Sequence, residues 1–277
     1  MHLPDSIIIR YLVSVLHVTV CVYFIVCATL YFFQDRMLLH PGRPAPKLIS
    51  RATGDDRIAT WSPAGEFNGY AMEPTSGGVK ATVIVFHGNA GTAEERQALG
   101  AQLVRLGYRA VLVEYPGFGR RPGRLTLANA LDACRAATRA VLAQWSGPVI
   151  LLGESLGAGM AAQTLSDSND RVTGIVLITP WDTLAAVAAR QLRIFPVRWL
   201  LHDSFDSMAA LQHFQGSVVV IGAGQDRLIP VAHARRLALS KIGSHYVELP
   251  ETEHNDWLLK MTTAQWSAVS YWLDTDH

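Results

Sequence analysis

The sequence predicts an α/β protein with a mostly parallel, doubly wound sheet, preceded by one long apolar helix. Three observations predict it: short β-branched runs without polar alternation, helical patterns lying between those runs, and an uncharged stretch from Tyr11 to Phe33. Unalternated runs suit strands covered on both faces, and helices interposed between strands make successive strands parallel. The chain has 277 residues. Setting the N-terminal segment aside leaves roughly 240 residues, enough for one large domain with a substantial core. The expected division is an anchor over 1–36 and a single large α/β domain over 37–277.

Tyr11 to Phe33, wound as a helix, is long enough to cross the roughly 30 Å of a bilayer's hydrocarbon. A cleaved signal peptide has a shorter apolar core, about 7 to 15 residues, and a small-residue cleavage site. No such site precedes Gln34-Asp35-Arg36. The plainer alternative is a buried core helix, interrupted by Ser14, His17 and Thr19. The reading adopted is a single-pass membrane protein with a span of about 11–33. Arg10 precedes the span while Arg36, Arg43, Lys47 and Arg51 follow it, which nominally puts the domain on the cytoplasmic side. That rule weakens for a large domain behind one anchor, and the face is left open.

Pro41, Pro44 and Pro46 make a stiff connector, and Ile58 to Trp61 and Gly69 to Glu73 read as hairpin strands around the turn Pro63-Ala64-Gly65. The buried strands are expected at Ala81 to Phe86, Ala110 to Val113, Val149 to Leu152, Ile175 to Ile178 and Ser217 to Ile221, with a last strand from His245 to Leu249. Helices are expected at Ala93 to Leu106, Thr126 to Trp145, Leu156 to Leu165, Thr183 to Leu192, Val231 to Lys241 and Asp256 to Leu273. In such a sheet ligands bind at the carboxyl ends of the strands. A formal net charge of +1, from 24 Lys and Arg against 23 Asp and Glu, gives no footprint for nucleic acid. Cys21, Cys27 and Cys134 form neither a disulfide framework nor a metal-ligand spacing.

Gly153-Glu154-Ser155-Leu156-Gly157 follows the run Val149-Ile150-Leu151-Leu152 and opens an Ala-rich helix. A G-x-S-x-G segment between strand and helix is a nucleophile elbow: the turn is tight, side chains at the glycine positions would collide with neighbours, and the serine hydroxyl is presented at a helix N-terminus. Serine is a poor nucleophile near neutral pH, so Ser155 needs a base, and the base needs a carboxylate that fixes its tautomer. His254 lies in a loop after the last strand, within Pro250-Glu251-Thr252-Glu253-His254-Asn255-Asp256. His87, His233 and His245 sit in a turn, on a helix and at a strand start, and read as structural. Asp226, directly after the Val218-Val219-Val220-Ile221 run, is preferred as the acid over Asp182, which equally suits a helix N-cap beside Thr183. Asp203 and Asp206 read as loop or cap residues. An oxyanion needs two donors: the N–H of Leu156 and one from His87-Gly88-Asn89-Ala90-Gly91, for which Asn89 is the choice. That loop has neither the spacing nor the lysine of a phosphate loop.

With HGNAG, the EYPGFG loop at Glu114 to Gly119, GESLG, GAGQDRLIP and ETEHND together, the chain resembles the α/β-hydrolase superfamily, and within it the membrane-anchored branch of Bem-type and depalmitoylase-like hydrolases. The resemblance covers nearly everything after the anchor. It implies the α/β-hydrolase fold and a triad of Ser155, Asp226 and His254, while its members range from serine-peptidase-like proteins to hydrolases of acyl esters or thioesters of lipids and proteins. No cofactor and no metal are expected, and the expected substrate is an acyl ester or thioester of a small molecule or lipid. Pro116 stands where relatives commonly carry arginine, so that arginine's role is not carried over. Between Asp182 and Ser217, the apolar residues Leu192, Phe195, Trp199 and Leu201 interleave with Arg190, Arg193 and Arg198. They suit either a small cap lining an acyl pocket at lipid headgroups or an ordinary amphipathic helix packed on the sheet. The expectation is a membrane-anchored serine hydrolase of esters or thioesters. The alternatives are a serine peptidase with the same triad and a non-catalytic binding protein on this fold.

Overall fold

The protein is described by a computed structural model at residues 5–42, 58–167 and 170–275. Pro44, Pro46, Arg43, Lys47 and Arg51 lie outside the described residues. Helix α1 spans Asp5–Leu38, longer at both ends than the uncharged stretch alone predicts. Its 34 residues make a rod of about 51 Å at 1.5 Å per residue.

Eight strands follow: β1 Ile58–Trp61, β2 Gly69–Met72, β3 Thr82–Phe86, β4 Arg109–Val113, β5 Val149–Glu154, β6 Val172–Ile178, β7 Ser217–Ala223 and β8 His245–Leu249. They form one sheet in the order β1-β2-β4-β3-β5-β6-β7-β8. The first hairpin joins antiparallel, and every pairing from β4 to β8 is parallel. β3 and β4 are exchanged relative to chain order, with β2 antiparallel to β4 and β4 joined to β3 by the crossover that a parallel pair requires. In β3 and β5 every residue is buried, as expected of strands covered on both sides.

The helices are α2 Gln97–Arg105, α3 Leu127–Gln144, α4 Leu156–Thr164, α5 Leu184–Gln191, α6 Val197–Leu200, α7 Ser207–Gln212, α8 Ala232–Ser240, α9 Trp257–Lys260 and α10 Thr263–Thr275. The first half of the expected Ala93 to Leu106 helix is a tight turn over Glu94–Arg96. The single helix expected over Asp256 to Leu273 is two, broken at Met261, whose backbone is extended. Thr262 and Gln265 make a reciprocal capping box, with Gln265 N–H donating to Thr262 Oγ1 at 3.3 Å and Thr262 N–H to Gln265 Oε1 at 2.9 Å, so a second helix starts afresh.

Two apolar layers sandwich the sheet. Leu127, Cys134, Val141 and Met160 pack on one face with Ile84, Leu151 and Val220, while Leu99, Leu103, Trp266 and Leu273 cover the other with Val83, Leu152 and Val219.

Helix α1 is not a detached rod. From Ser6 to Val22 its residues are exposed, but Tyr23, Cys27, Leu30 and Gln34 turn one face toward the segment carrying α5 and α6. Gln34 Nε2 donates to Leu200 O at 3.1 Å and its Oε1 accepts from His202 N–H at 3.0 Å. Asp35 Oδ1 accepts the N–H of Leu127 at 3.0 Å, at the start of α3.

Candidate active site

β5 lies in the middle of the sheet, and its ladder runs on for one residue, since Ser155 N–H donates to Ile178 O at 2.9 Å. The chain then turns sharply into α4. Ser155 has φ +52 and ψ −114, a conformation that costs an ordinary residue about 1–3 kcal/mol and persists only when surroundings enforce it. The neighbouring glycines do so by close approach: a Cβ on Gly153 would stand 2.1 Å from Gly157 O, and one on Gly157 would stand 2.0 Å from Phe86 O. Ser155 occupies the N-cap position of α4 without a capping bond from its hydroxyl. Its Oγ is instead 2.8 Å from His254 Nε2.

His254 comes from the loop after β8, and its Nδ1 is 2.5 Å from Asp226 Oδ2. Asp226 comes from the turn after β7, and its side chain is only 1% exposed. Its other oxygen accepts the N–H groups of Leu228 at 2.8 Å and Ile229 at 2.7 Å. A carboxylate so held accepts Nδ1–H and leaves the Nε2 lone pair facing the serine hydroxyl. The acid and base loops are laced together, with Gly224 N–H donating to Leu249 O and Gln225 N–H to Thr252 O. Three residues far apart in sequence thus meet at the carboxyl ends of β5, β7 and β8, in the order Ser, Asp, His.

The loop after β3 passes over the elbow, and a Cβ on Gly88 would lie 3.5 Å from Ser155 Cβ. Among the described residues, neither Leu156 N–H nor Asn89 N–H has an intramolecular acceptor. The Asn89 side chain is spent elsewhere: Nδ2 donates to Leu38 O at 2.6 Å, and Oδ1 accepts from His40 N–H at 2.8 Å. The residue expected to supply an oxyanion donor therefore also holds the end of α1, and only its backbone amide remains for a substrate.

Comparison with known proteins places the fold. Residues 77–210 match the family described as serine aminopeptidase, S33. Over 229 residues the chain is 31% identical to an uncharacterized protein of Mycobacterium tuberculosis, covering 80% of this chain and 81% of that one. The chain belongs to the α/β-hydrolase superfamily. Among solved α/β-hydrolase folds, an esterase of Pyrococcus furiosus superposes with a TM-score of 0.65 at 15% identity, covering 85% of this chain and 97% of that one. An esterase of Exiguobacterium antarcticum gives 0.57 at 18% identity over 78% and 98% of the two chains.

Around this α/β-hydrolase elbow stand groups that sequence reasoning missed. Glu154, inside the elbow itself, is buried; its Oε1 accepts the N–H of Gly88 at 2.9 Å and a bond from Arg96 Nε, and its Oε2 accepts Trp257 Nε1–H at 3.1 Å. One carboxylate thus joins the elbow, the loop after β3 and the helix behind His254. Its signal was present as a charged residue ending an otherwise apolar strand. His87 is fully buried, with Nε2 at 2.9 Å from Glu114 Oε1 and Nδ1 at 2.8 Å from Gly88 O, which fits its structural reading.

The rival acid, Asp182, is not the helix cap. That role falls to Thr183, whose side chain accepts from Ala186 N–H, while Asp182 bonds His233 Nδ1 at 2.7 Å and Arg236 Nε at 2.7 Å. Burial alone would raise its pKa, but the hydrogen bonds from His233, Arg236 and the Thr183 N–H outweigh it and hold the carboxyl below its ordinary value. Asp206 caps α7 by accepting from Ala209 N–H. Of the apolar residues between Asp182 and Ser217, Leu192, Val197 and Leu200 face α1 across a crevice of about 60 Å³. Among the described residues no group of three His, Cys, Asp or Glu side chains is placed to hold a metal ion.

Proposed function

We propose that the protein is a membrane-anchored serine hydrolase that cleaves carboxylic esters or thioesters through an acyl-enzyme. Ser155 Oγ attacks the acyl carbon while His254 Nε2 takes its proton, Asp226 stabilises the imidazolium, and the N–H groups of Leu156 and Asn89 receive the oxyanion. His254 returns the proton to the leaving group, and water then releases the acid by the reverse sequence. No cofactor enters this chemistry. The observation that carries the reading is the unbroken chain of contacts from Ser155 Oγ to His254 at 2.8 Å and from His254 to Asp226 at 2.5 Å, on a serine whose hydroxyl has no capping duty.

Anchoring is part of the proposal. It is supported by α1, which is long and apolar enough to cross a membrane and leaves its first half uncovered. Two buried carboxylates beside the elbow, Glu114 and Glu154, are already engaged by His87 and Ala93 N–H and by Gly88, Arg96 and Trp257, which leaves neither of them for a peptide's α-ammonium and favours ester cleavage over aminopeptidase action. The esterases among the structural neighbours point the same way.

The test is covalent labelling by a fluorophosphonate, with turnover of p-nitrophenyl esters, an acyl thioester and aminoacyl amides side by side. Labelling and ester turnover are expected to vanish in Ser155→Ala with the fold intact. Labelling that persists in the folded variant sinks the triad, and amide cleavage faster than ester cleavage sinks the substrate class alone.

A further inference from the structure

The segment between α5 and α7 is held against α1 at three levels. Tyr23 donates its hydroxyl to Ile194 O at 3.0 Å and stacks on Phe195 with ring centroids 5.4 Å apart. Tyr31 meets the His202 ring edge-on at 4.4 Å, and Gln34 bonds the backbone at Leu200 and His202. From Tyr23 to Gln34 the contact runs about 17 Å along the helix axis. The crevice between them holds only about 60 Å³, so segment and helix pack as one piece.

This fixes the height of the segment relative to any bilayer that α1 crosses. A hydrocarbon layer of about 30 Å needs about 20 residues of helix. Seated as far toward the N-terminus as the helix permits, it covers Ser6 to Ile25; Arg10 is then close enough to the end to extend its head to the surface. Tyr23 then lies at the hydrocarbon boundary, where tyrosine is favoured, and brings Ile194 and Phe195 to that level. Any seat further along α1, including the span of about 11–33 read from the sequence, immerses the segment more deeply. In every register its tip at Ile194 and Phe195 meets lipid, and Trp199, next to Leu200 at the level of Gln34, reaches the boundary in the register of about 11–33.

The surface chemistry fits that position. Ile194 is 74% exposed and Trp199 is 86% exposed, large apolar side chains that no part of the described fold covers. Beside them Arg190, Arg193 and Arg198 are exposed and form no ion pair among the described residues. On α1 at the same levels Phe24, Ile25, Phe32 and Phe33 are exposed as well. Aromatic and aliphatic side chains interleaved with guanidinium groups form an interfacial surface that attracts anionic headgroups.

We infer that the segment from Leu192 to Leu201 is a second membrane contact, an interfacial cap that inserts Ile194 and Trp199 among the lipids around α1 and receives anionic phosphate headgroups on Arg190, Arg193 and Arg198. This rests on α1 crossing the bilayer, as proposed above. The cap sets the domain's orientation and presents the site to acyl groups held in the same leaflet.

The full chain, reconstituted in phosphatidylcholine vesicles with and without phosphatidylglycerol, tests it. The fluorescence of Trp199, taken as the difference between the protein and Trp199→Phe, should be quenched by lipids spin-labelled near the headgroup end of the acyl chain and shielded from aqueous iodide. Replacing Arg190, Arg193 and Arg198 together by Gln should weaken that quenching in the anionic vesicles and leave it unchanged in the neutral ones. Ile194→Asp with Trp199→Asp should lower turnover of a vesicle-embedded long-chain ester about tenfold while sparing soluble p-nitrophenyl acetate. If the chain resists alkaline extraction yet Trp199 is quenched by iodide and not by lipid, the cap proposal falls alone. If alkaline carbonate releases the intact chain, the anchor reading falls and takes the cap with it.

Discussion

Replacing Asp226 by Asn separates the two acids, because the surroundings of the side chain fix how an amide would sit. Oδ1 accepts two backbone N–H groups, from Leu228 at 2.8 Å and Ile229 at 2.7 Å, in a side chain 1% exposed. An amide turned with its NH2 toward those donors would leave them unpaired, at about 1–3 kcal/mol each. The carbonyl oxygen of Asn therefore stays where Oδ1 was, and the NH2 points at His254 Nδ1. That nitrogen must then accept, the ring proton moves to Nε2, and the serine hydroxyl loses its base. The corresponding change in the chymotrypsin-type triad costs on the order of 10⁴ in kcat, about 5 kcal/mol of barrier. Fluorophosphonate labelling rate and ester kcat/KM should both fall by that order while the melting curve stays close to that of the unaltered protein. Asp182→Asn is the control: it weakens the contacts to His233 and Arg236, so it should cost stability and little rate. A loss under about tenfold for Asp226→Asn, or a larger rate loss for Asp182→Asn, would refute the argument.

Cutting α1 at two places should give unequal results. A chain starting at Tyr23 keeps four hydrogen bonds, those of Tyr23 to Ile194, Gln34 to Leu200, His202 to Gln34 and Leu127 to Asp35, which a chain starting at Met37 loses. At about 0.5–1.5 kcal/mol per bond and about 2–4 °C per kcal/mol for a domain of this size, the shorter chain should melt many degrees lower in detergent; equal melting would show that these bonds carry no stability. Glu94 is 4% exposed, and its pKa is raised above 4.5 by burial, offset by Arg120 and reinforced by Glu114 and Glu95. A raised folded pKa means that its contribution is fully present below pH 4.5 and lost as pH rises through the folded value. Glu94→Gln should therefore stabilise the protein at neutral pH, with the gain shrinking on acidification, and denaturant melts at several pH values would show the opposite trend if the reasoning is wrong. Asn89→Ala frees Leu38 O and His40 N–H and loosens the loop over the elbow, so kcat should drop on the order of 10–100-fold with KM nearly unchanged; a rise in KM alone would assign Asn89 to substrate binding instead.

Much of this was legible because the strongest signals were local. The apolar runs ending at Leu152, Ile221 and Leu249 mark the strand ends on which the three residues stand, and the elbow glycines report a turn that excludes any Cβ. The pairing of His254 with Asp226 could be inferred from chain order, since each follows a strand at the same edge of the sheet. What escaped were contacts between distant segments. Glu154 looked like the variable position of a motif, and nothing in its neighbours announces Gly88, Arg96 and Trp257 as partners. The break at Met261 has a local signal in the Thr262 to Gln265 spacing, a capping box inside a stretch expected as one helix. The apolar composition of the segment after α5 suits a cap or a packed helix equally, and only the fold shows that Leu192, Val197 and Leu200 turn that character toward α1.

The bond from Asn89 to the end of α1 bears on how such a protein meets its substrate. Where a catalytic domain hangs on a flexible leash, the leash length sets a search radius and an effective concentration that falls steeply with slack. Here Leu38 and His40 are hydrogen-bonded directly to the loop above the nucleophile, so the leash at that point has no length. With α1 in a bilayer, the site stands at one height and sweeps the surface only as the helix diffuses in two dimensions. Encounters would then be governed by the areal density of acyl groups in the leaflet, and dilution in the surrounding water would leave them unchanged.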